Sequence, residues 1–600
     1  RLWFASGDGV WRTGEPSGQF LTIGGSVGTD VVDDCTLAFT EPRLSRFMVK
    51  SVGANGQTKY GMSDQTGYYR ILSKAGEYQV SAVAPNDLWE PCTLPVSVPA
   101  MPSSGNIGGK NIAIKPAVLC PRLEIDVAVP LLRRCFQTKM AVSYRNTGTQ
   151  AAANAYIELA LDPYLEVLGT SAPIASQSGD TLTFELGTVA ANATATIYLD
   201  LLVSCEAPLS QMHCTEAKIF PDAACSGWQG PVISTSLECL GDSILLEIKN
   251  TGAGDMALPR KWQIWRGIWT GFDSLLVTEG NFQLPAGGIF THKIAAPGNA
   301  TLLLRVPQET GYPFGSGYAQ SVLLNCDDSG YLPYSYEYQA YEPSRDQLCL
   351  RNIGSFDPND KTGFPEGIGA GHHIDKTEPL EYLIRFQNTG TDTAFTVVIR
   401  DTISPFLNIE TLQLGAASHA VVMNVRDSNE LVFTFNNIML PDSNINEATS
   451  HGFVKYAIRQ KADNPDGEVI RNRAGIYFDF NLPVMTNETW HTVGLPQVSG
   501  ISDLANKKTP ALLCSPNPFS ERFWVALSDG VASNQPVPSA GLNLEVTDAS
   551  GRLLRRQAFS GDKMLVERGD LPEGMLFVYL KNASGAILAS GRVVAISIKK

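Results

Sequence analysis

Leu383-Ile384-Arg385-Phe386-Gln387-Asn388-Thr389-Gly390 is the stretch on which the fold turns. It reads as a strand running into Asn-Thr-Gly. The same pattern stands twice earlier, as Val142-Ser143-Tyr144-Arg145-Asn146-Thr147-Gly148 and Leu246-Glu247-Ile248-Lys249-Asn250-Thr251-Gly252. Asn and Gly tolerate positive φ, so each copy is expected to close a tight turn between strands. The copies lie a domain's length apart, which predicts three related sandwiches in tandem. A solenoid would repeat every 20–50 residues or so.

Period two extends outward from these copies. Gly76-Glu77-Tyr78-Gln79-Val80-Ser81-Ala82-Val83, Leu182-Thr183-Phe184-Glu185-Leu186 and Leu431-Val432-Phe433-Thr434-Phe435 alternate inward and outward residues. No convincing amphipathic helix interrupts them. Short strands bounded by Gly, Pro, Asn and Asp imply an all-β chain of tandem antiparallel β-sandwiches, Ig-like or prealbumin-like, strung as beads on a string. Phe386, Phe395, Phe433 and Phe435 are expected to fill sandwich cores. Trp262, Trp265 and Trp269, amid Gly267 and Gly271, are expected to do the same on a strand or loop.

Six hundred residues exceed what one core serves and suggest about four to six domains. With 44% apolar and 18% charged residues the chain is not disordered. No apolar run is long enough for a membrane-spanning helix. A net charge of −14 argues against a nucleic-acid surface. The eleven cysteines form no Cys-x-x-Cys pair. Those before residue 350 read as disulfides of an exported protein, with Cys514 left over. The start at Arg1 without a Met reads as a processed form or the C-terminal part of something longer.

The expected organisation is a hairpin over 1–20, a first module over 21–117, sandwiches over 118–225, 226–348 and 349–495, a linker over 496–510 and a final domain over 511–600. The first module ends after the Pro102-Ser103-Ser104-Gly105-Asn106 stretch.

Catalytic signals are weak. Gly24-Gly25-Ser26-Val27-Gly28 matches a nucleophile elbow on paper, but no helix follows it, so it reads as a strand. Neither a zinc-protease motif nor a phosphate-binding loop is present. His372-His373 reads as an exposed loop. The chain is therefore read as non-enzymatic, with no cofactor unless calcium binds. Calcium is the ion that carboxylate-rich loops suit. Two loops are candidate sites: Asp30, Asp33, Asp34 and Glu41, and Asp357, Asn359 and Asp360. For the second, turn chemistry around Pro358 is the competing reading.

Several segments resemble known families. From Asp357-Pro358-Asn359-Asp360-Lys361 through Glu381–Ala394, Leu440-Pro441-Asp442-Ser443-Asn444, Ser450-His451-Gly452-Phe453-Val454 and Ala474-Gly475-Ile476-Tyr477-Phe478-Asp479-Phe480-Asn481, the chain resembles a sandwich domain of large exported surface proteins of Bacteroidota. Residues 511–600 are similar to a type A sorting domain of the type IX secretion system. The carriers are Ser515-Pro516-Asn517-Pro518-Phe519, Val546-Thr547-Asp548-Ala549-Ser550-Gly551-Arg552 and Leu571-Pro572-Glu573-Gly574-Met575-Leu576-Phe577-Val578-Tyr579-Leu580. Met575-Leu576-Phe577 departs from that family's more usual Ile-Tyr. Residues 30–98 resemble prealbumin-like modules of the carboxypeptidase-regulatory or Cna-B type, on Phe47-Met48-Val49-Lys50, Thr58-Lys59-Tyr60-Gly61 and Asp64-Gln65-Thr66-Gly67-Tyr68-Tyr69.

Together the resemblances imply a secreted or cell-surface structural, adhesin-like stalk that meets the type IX translocon through residues 511–600. Its further partners would be a surface polysaccharide, a host or prey surface ligand, or copies of itself. Two alternatives stay open: the accessory end of an exported hydrolase, or a subunit of an extracellular filament or hook.

Overall fold

The computed structural model describes residues 3–6, 9–12, 21–92, 95–101, 106–207, 212–222, 228–241, 243–268, 271–296, 301–312, 317–324, 326, 334–338, 343–352, 357–369, 371–494, 512–515, 517, 519–527, 542–548, 552–559, 563–582 and 587–595. Trp269, Cys225 and the linker 496–510 lie outside the described residues. Every regular element among the described residues is a β-strand, as the period-two pattern requires. The chain forms two compact units, Arg1–Pro496 and Gln497–Lys600.

The first unit opens with the hairpin of Trp3–Ser6 and Gly9–Arg12. In the next module Leu21–Thr29 pairs antiparallel with Tyr68–Ser73 and parallel with Asn106–Ile107 and Ile112–Pro116. The facing sheet runs Thr58–Met62, Met48–Gly53, Gly76–Ala82, Val96–Ala100. Ile23, Val27, Val49, Tyr69, Val80 and Val98 fill the space between the sheets. Ser26 sits mid-strand, as the absence of a following helix predicts. At Gly25 a Cβ would lie 2.1 Å from the Lys110 carbonyl oxygen, so only glycine lets the neighbouring chain approach.

The first Asn-Thr-Gly sandwich sets Leu123–Ala128, Gln137–Asn146, Thr194–Val203 and Leu165–Thr170 against a five-stranded sheet. That sheet runs Ser176–Ser178, Thr181–Val189, Ala152–Ala160, Met212–Phe220, Arg345–Arg351. Its last strand comes from beyond the next module. The sandwich spanning Ile233–Cys239 to Tyr334–Tyr338 is thus inserted between two neighbouring strands of its predecessor. Within the insertion Trp262 and Trp265 are buried, on either side of a register shift between Ile264 and Trp265.

In the last sandwich of this unit, Lys361–Phe364, Leu380–Gln387, His451–Gln460 and Leu407–Ala417 face Val422–Arg426, Glu430–Leu440, Ala394–Thr402, Ala474–Phe478 and Val484–Met485. Phe386, Phe433 and Phe435 are fully buried in its core. Phe395 is not: it is 54% exposed, against the expectation above. The register slips between Ala394 and Thr396, Ala394 takes the inward place, and Phe395 is turned out.

Modules that are not neighbours in the sequence touch through buried side chains within the first unit. Met48 and Met62 join the core of the 349–495 sandwich. Ala128 and Ala141 pack on Leu383, Ala416 and Phe453. Disulfides join Cys35–Cys92, Cys135–Cys205, Cys214–Cys349 and Cys239–Cys326, and Cys120 is also bridged. These bear out the oxidised reading of the early cysteines.

The second unit is a small two-sheet domain. Leu512–Ser515, Arg522–Leu527 and Lys563–Glu567 form one sheet; Leu553–Phe559, Leu542–Thr547, Gly574–Lys581 and Ile587–Ala595 form the other. Phe519, Phe523, Leu544, Val546, Leu576 and Val578 make its core. Cys514 is a free thiol here, and burial pushes its pKa up to about 11.

Candidate functional site

The Asp357–Lys361 motif is a set of internal ties. Asp357 is exposed and its Oδ1 accepts the Asn359 amide N–H at 3.0 Å, an Asx turn over Pro358. Asn359 is buried and accepts the Gln387 N–H at 3.3 Å. Asp360 takes Arg385 in a two-oxygen fork, with Nε to Oδ1 at 2.6 Å and Nη2 on Oδ2, while Arg385 Nη1 reaches the Pro130 carbonyl at 3.0 Å. Lys361 then turns into the core, where its ammonium meets Asp401 and the Tyr456 hydroxyl. The calcium candidates of this loop are therefore brought near one another, but their oxygens face backbone N–H groups and a guanidinium.

The Asn-Thr-Gly copies share one bonding plan. Asn146 Oδ1 accepts the Gly148 N–H at 3.0 Å, and its Nδ2 donates to the carbonyls of Gln150 at 2.7 Å and Val189 at 3.0 Å. Asn250 bonds Gly252, Gly254 and Pro285 in the same way, and Asn388 bonds Gly390, Asp392 and Leu440. Each buried amide thus satisfies backbone groups that the ladder leaves open. Positive φ is not the reason for these residues: none of the three Asn or three Gly adopts it. In the first two copies glycine is required instead by close approach. A Cβ on Gly148 would lie 2.3 Å from Arg122 N, and one on Gly252 2.4 Å from Gly230 O.

A cluster that sequence reading missed joins two sandwiches. Lys455 Nζ is ringed by Asp126 Oδ1 at 2.5 Å, Glu381 Oε2 at 3.1 Å and Asp346 Oδ2 at 3.2 Å, contributed by four strands. Burial raises the Asp126 pKa to about 7 and also raises that of Glu381. The three carboxylates hold Lys455 well above its ordinary value although burial opposes them. Arg145, beside this cluster, pairs with Glu124 and donates to Gln413 at 2.8 Å across the same joint. No spacing in the sequence links residues so far apart.

At the first candidate loop, Asp30 is buried and accepts the Cys35 N–H at 2.9 Å and the Asp34 N–H at 3.3 Å. Glu41 accepts the amides of Val31 and Ala38, both at 2.7 Å. Asp34 bonds Thr36, and Asp33 pairs with Lys115 at 3.2 Å. The sulfurs nearest Asp30 belong to the Cys35–Cys92 disulfide. His372 and His373 turn to different carbonyls, those of Glu366 and Gly494. A His213–Asp162 pair at 2.9 Å, also missed by sequence, is buried, with His213 1% exposed.

Residues 357–492 match the family model described as Domain of unknown function (DUF7619). The match takes in the Asp357–Lys361 motif, the third Asn-Thr-Gly copy and Lys455. No curated protein matches the chain significantly. Several solved structures are similar over part of it. A DUF3823 family protein from Bacteroides ovatus is 14% identical, covering 34% of this chain and 92% of that chain, with a TM-score of 0.15. The collagen-binding domain from a Staphylococcus aureus adhesin is 14% identical, covering 23% and 99%, with a TM-score of 0.16. BcpA, the major pilin subunit of Bacillus cereus, is 9% identical, covering 56% and 95%, with a TM-score of 0.15.

Proposed function

We propose that this chain is a non-enzymatic, adhesin-like stalk at the cell surface, exported by the type IX route with residues 511–600 as its sorting domain. The observation that carries the reading is the fate of the motif side chains. Asp360, Lys361, Arg385 and Asn388 are taken up by bonds inside the fold, where they set sheets and turns in place. Residues that turnover of an external substrate would need free are thereby engaged. The disulfides suit an oxidising compartment. The compactness of Gln497–Lys600 as its own unit suits a detachable signal. On this reading the chain meets the translocon through that unit and presents the remainder to a surface polysaccharide or a host or prey surface.

Deletion of residues 511–600 tests the export half. The truncated protein should stay in the periplasm, and the same residues fused to a signal-peptide-bearing reporter should carry it to the surface. Surface display of the truncated protein would sink the assignment. A broad hydrolase screen on the whole chain tests the other half. Turnover abolished by a single side-chain substitution would overturn a structural role.

A further inference from the structure

We infer that Lys361 and Asp401 form an intramolecular amide, a covalent bolt between the two sheets of the 349–495 sandwich. Lys361 opens one sheet, on the strand Lys361–Phe364; Asp401 lies on Ala394–Thr402 in the facing sheet. Both side chains are fully buried, and Lys361 Nζ is in direct contact with Asp401 Oδ2. Tyr382 and Tyr456 present their rings to the amine, with centroids 4.5 and 5.3 Å away. The Lys361 backbone is gripped on both sides by Asn487, whose Oδ1 accepts its N–H at 2.8 Å and whose Nδ2 donates to its carbonyl at 3.0 Å. Nucleophile and electrophile are thus held together with water excluded, which is where effective molarities of about 10⁵–10⁸ M arise.

The surrounding groups fit the reaction. Tyr456 donates its hydroxyl proton to Asp401 Oδ2 at 2.6 Å and is itself held by Asn472 Nδ2 at 2.9 Å. It is therefore placed to stabilise charge growing on that oxygen. Asp401 Oδ1, by contrast, is buried with no hydrogen-bond partner among the described residues. Burial lowers the Lys361 pKa to about 8, which favours the neutral amine. A proton passes from the ammonium to the carboxylate, and the amine nitrogen attacks Cγ. The tetrahedral adduct then loses Oδ1, with two protons from nitrogen, as one water. One N–C bond forms and one C–O bond breaks, with no redox change. The product keeps Oδ2 as a carbonyl accepting from Tyr456. It also removes two buried charges and the unpartnered oxygen, each of which is costly in a core.

Intact mass of the purified full chain, denatured and with its disulfides reduced, reads this directly. The chain should weigh one water less than its sequence, and trypsin should release peptides 352–376 and 401–426 as one linked species. Lys361→Met should restore the full sequence mass. Asp401→Asn should lose one ammonia instead and reach the wild-type mass. A wild-type chain at full sequence mass would overturn the inference. So would a deficit that persists in Lys361→Met, or one that fragmentation maps to other residues. The wild-type digest decides the matter even if a variant fails to fold.

Discussion

Cys214 stands directly opposite Cys349 on the neighbouring antiparallel strand, and a disulfide joins them across a sequence separation of 135 residues. The whole inserted sandwich runs between the two strands, so the bond closes the base of an insertion. Paired strands alone would leave that closure to a ladder at the sheet's edge.

Opening the clamp should therefore be costly. Cys349→Ser is expected to destabilise the 118–225 sandwich by about 2–5 kcal/mol. Melting of oxidised wild type against the variant reads this, and equal midpoints would remove the clamp from the account. In the denatured, unreduced wild type, few of the eleven cysteines should titrate as free thiols, Cys514 first among them. A majority titrating free would contradict the disulfide framework.

Aromatic side chains on adjoining strands should behave oppositely. Phe433→Ala empties a fully buried position beside Tyr456 and should cost about 3–5 kcal/mol. Phe395→Ala removes a ring that already faces out and should stay within about 0.5 kcal/mol. Denaturant midpoints of the two variants check the contrast.

The glycines of the repeat should differ among themselves. Gly148→Ala drives a Cβ into fixed backbone at 2.3 Å, whereas at Gly390 the nearest atom is the Asn388 side-chain oxygen at 3.0 Å. Gly148→Ala should lower the melting temperature clearly and Gly390→Ala only slightly. Asn146→Ala should be severe, because it strands the carbonyls of Gln150 and Val189, at about 1–3 kcal/mol for each buried group left unpaired.

The carboxylates of the Asp357 loop should also separate. Asp357→Ala loses one exposed turn bond and should change stability by less than about 0.5 kcal/mol. Asp360→Ala leaves the mostly buried Arg385 guanidinium without its fork and should cost about 1–3 kcal/mol. Melting with and without calcium, in the same series, shows whether an ion adds to these bonds.

The Lys455 joint should respond to pH. The buried Asp126 carboxyl, facing Lys455, Asp346 and Glu381, titrates near pH 7, against about 3.9 in an unfolded chain. Between those values the folded state holds a proton that the unfolded chain has released. Its stabilising contribution is complete below about pH 4 and is lost as pH rises through about 7. Asp126→Asn removes the titration, so the melting difference should move in the variant's favour between about pH 5 and pH 8. A difference that stays flat would place the Asp126 titration elsewhere.

Read as a sequence, the chain determined its all-β class, the burial of Phe386, Phe433 and Phe435, and the oxidation of its early cysteines. These follow from alternation along a strand and from residue chemistry, both of which are local. Tertiary structure alone decided where Phe395 points, because one slip of register exchanges inside for outside. It also decided why the first two Asn-Thr-Gly copies carry a glycine: the cause is the backbone of a distant segment, Cys120–Arg122 or Gly230–Val232, which no local preference for φ reports. The pairings of Lys361 with Asp401 and of Lys455 with Asp126 belong to the same class. Each joins residues on different sheets or different modules, and a charge is matched to its partner only when packing closes the space between them.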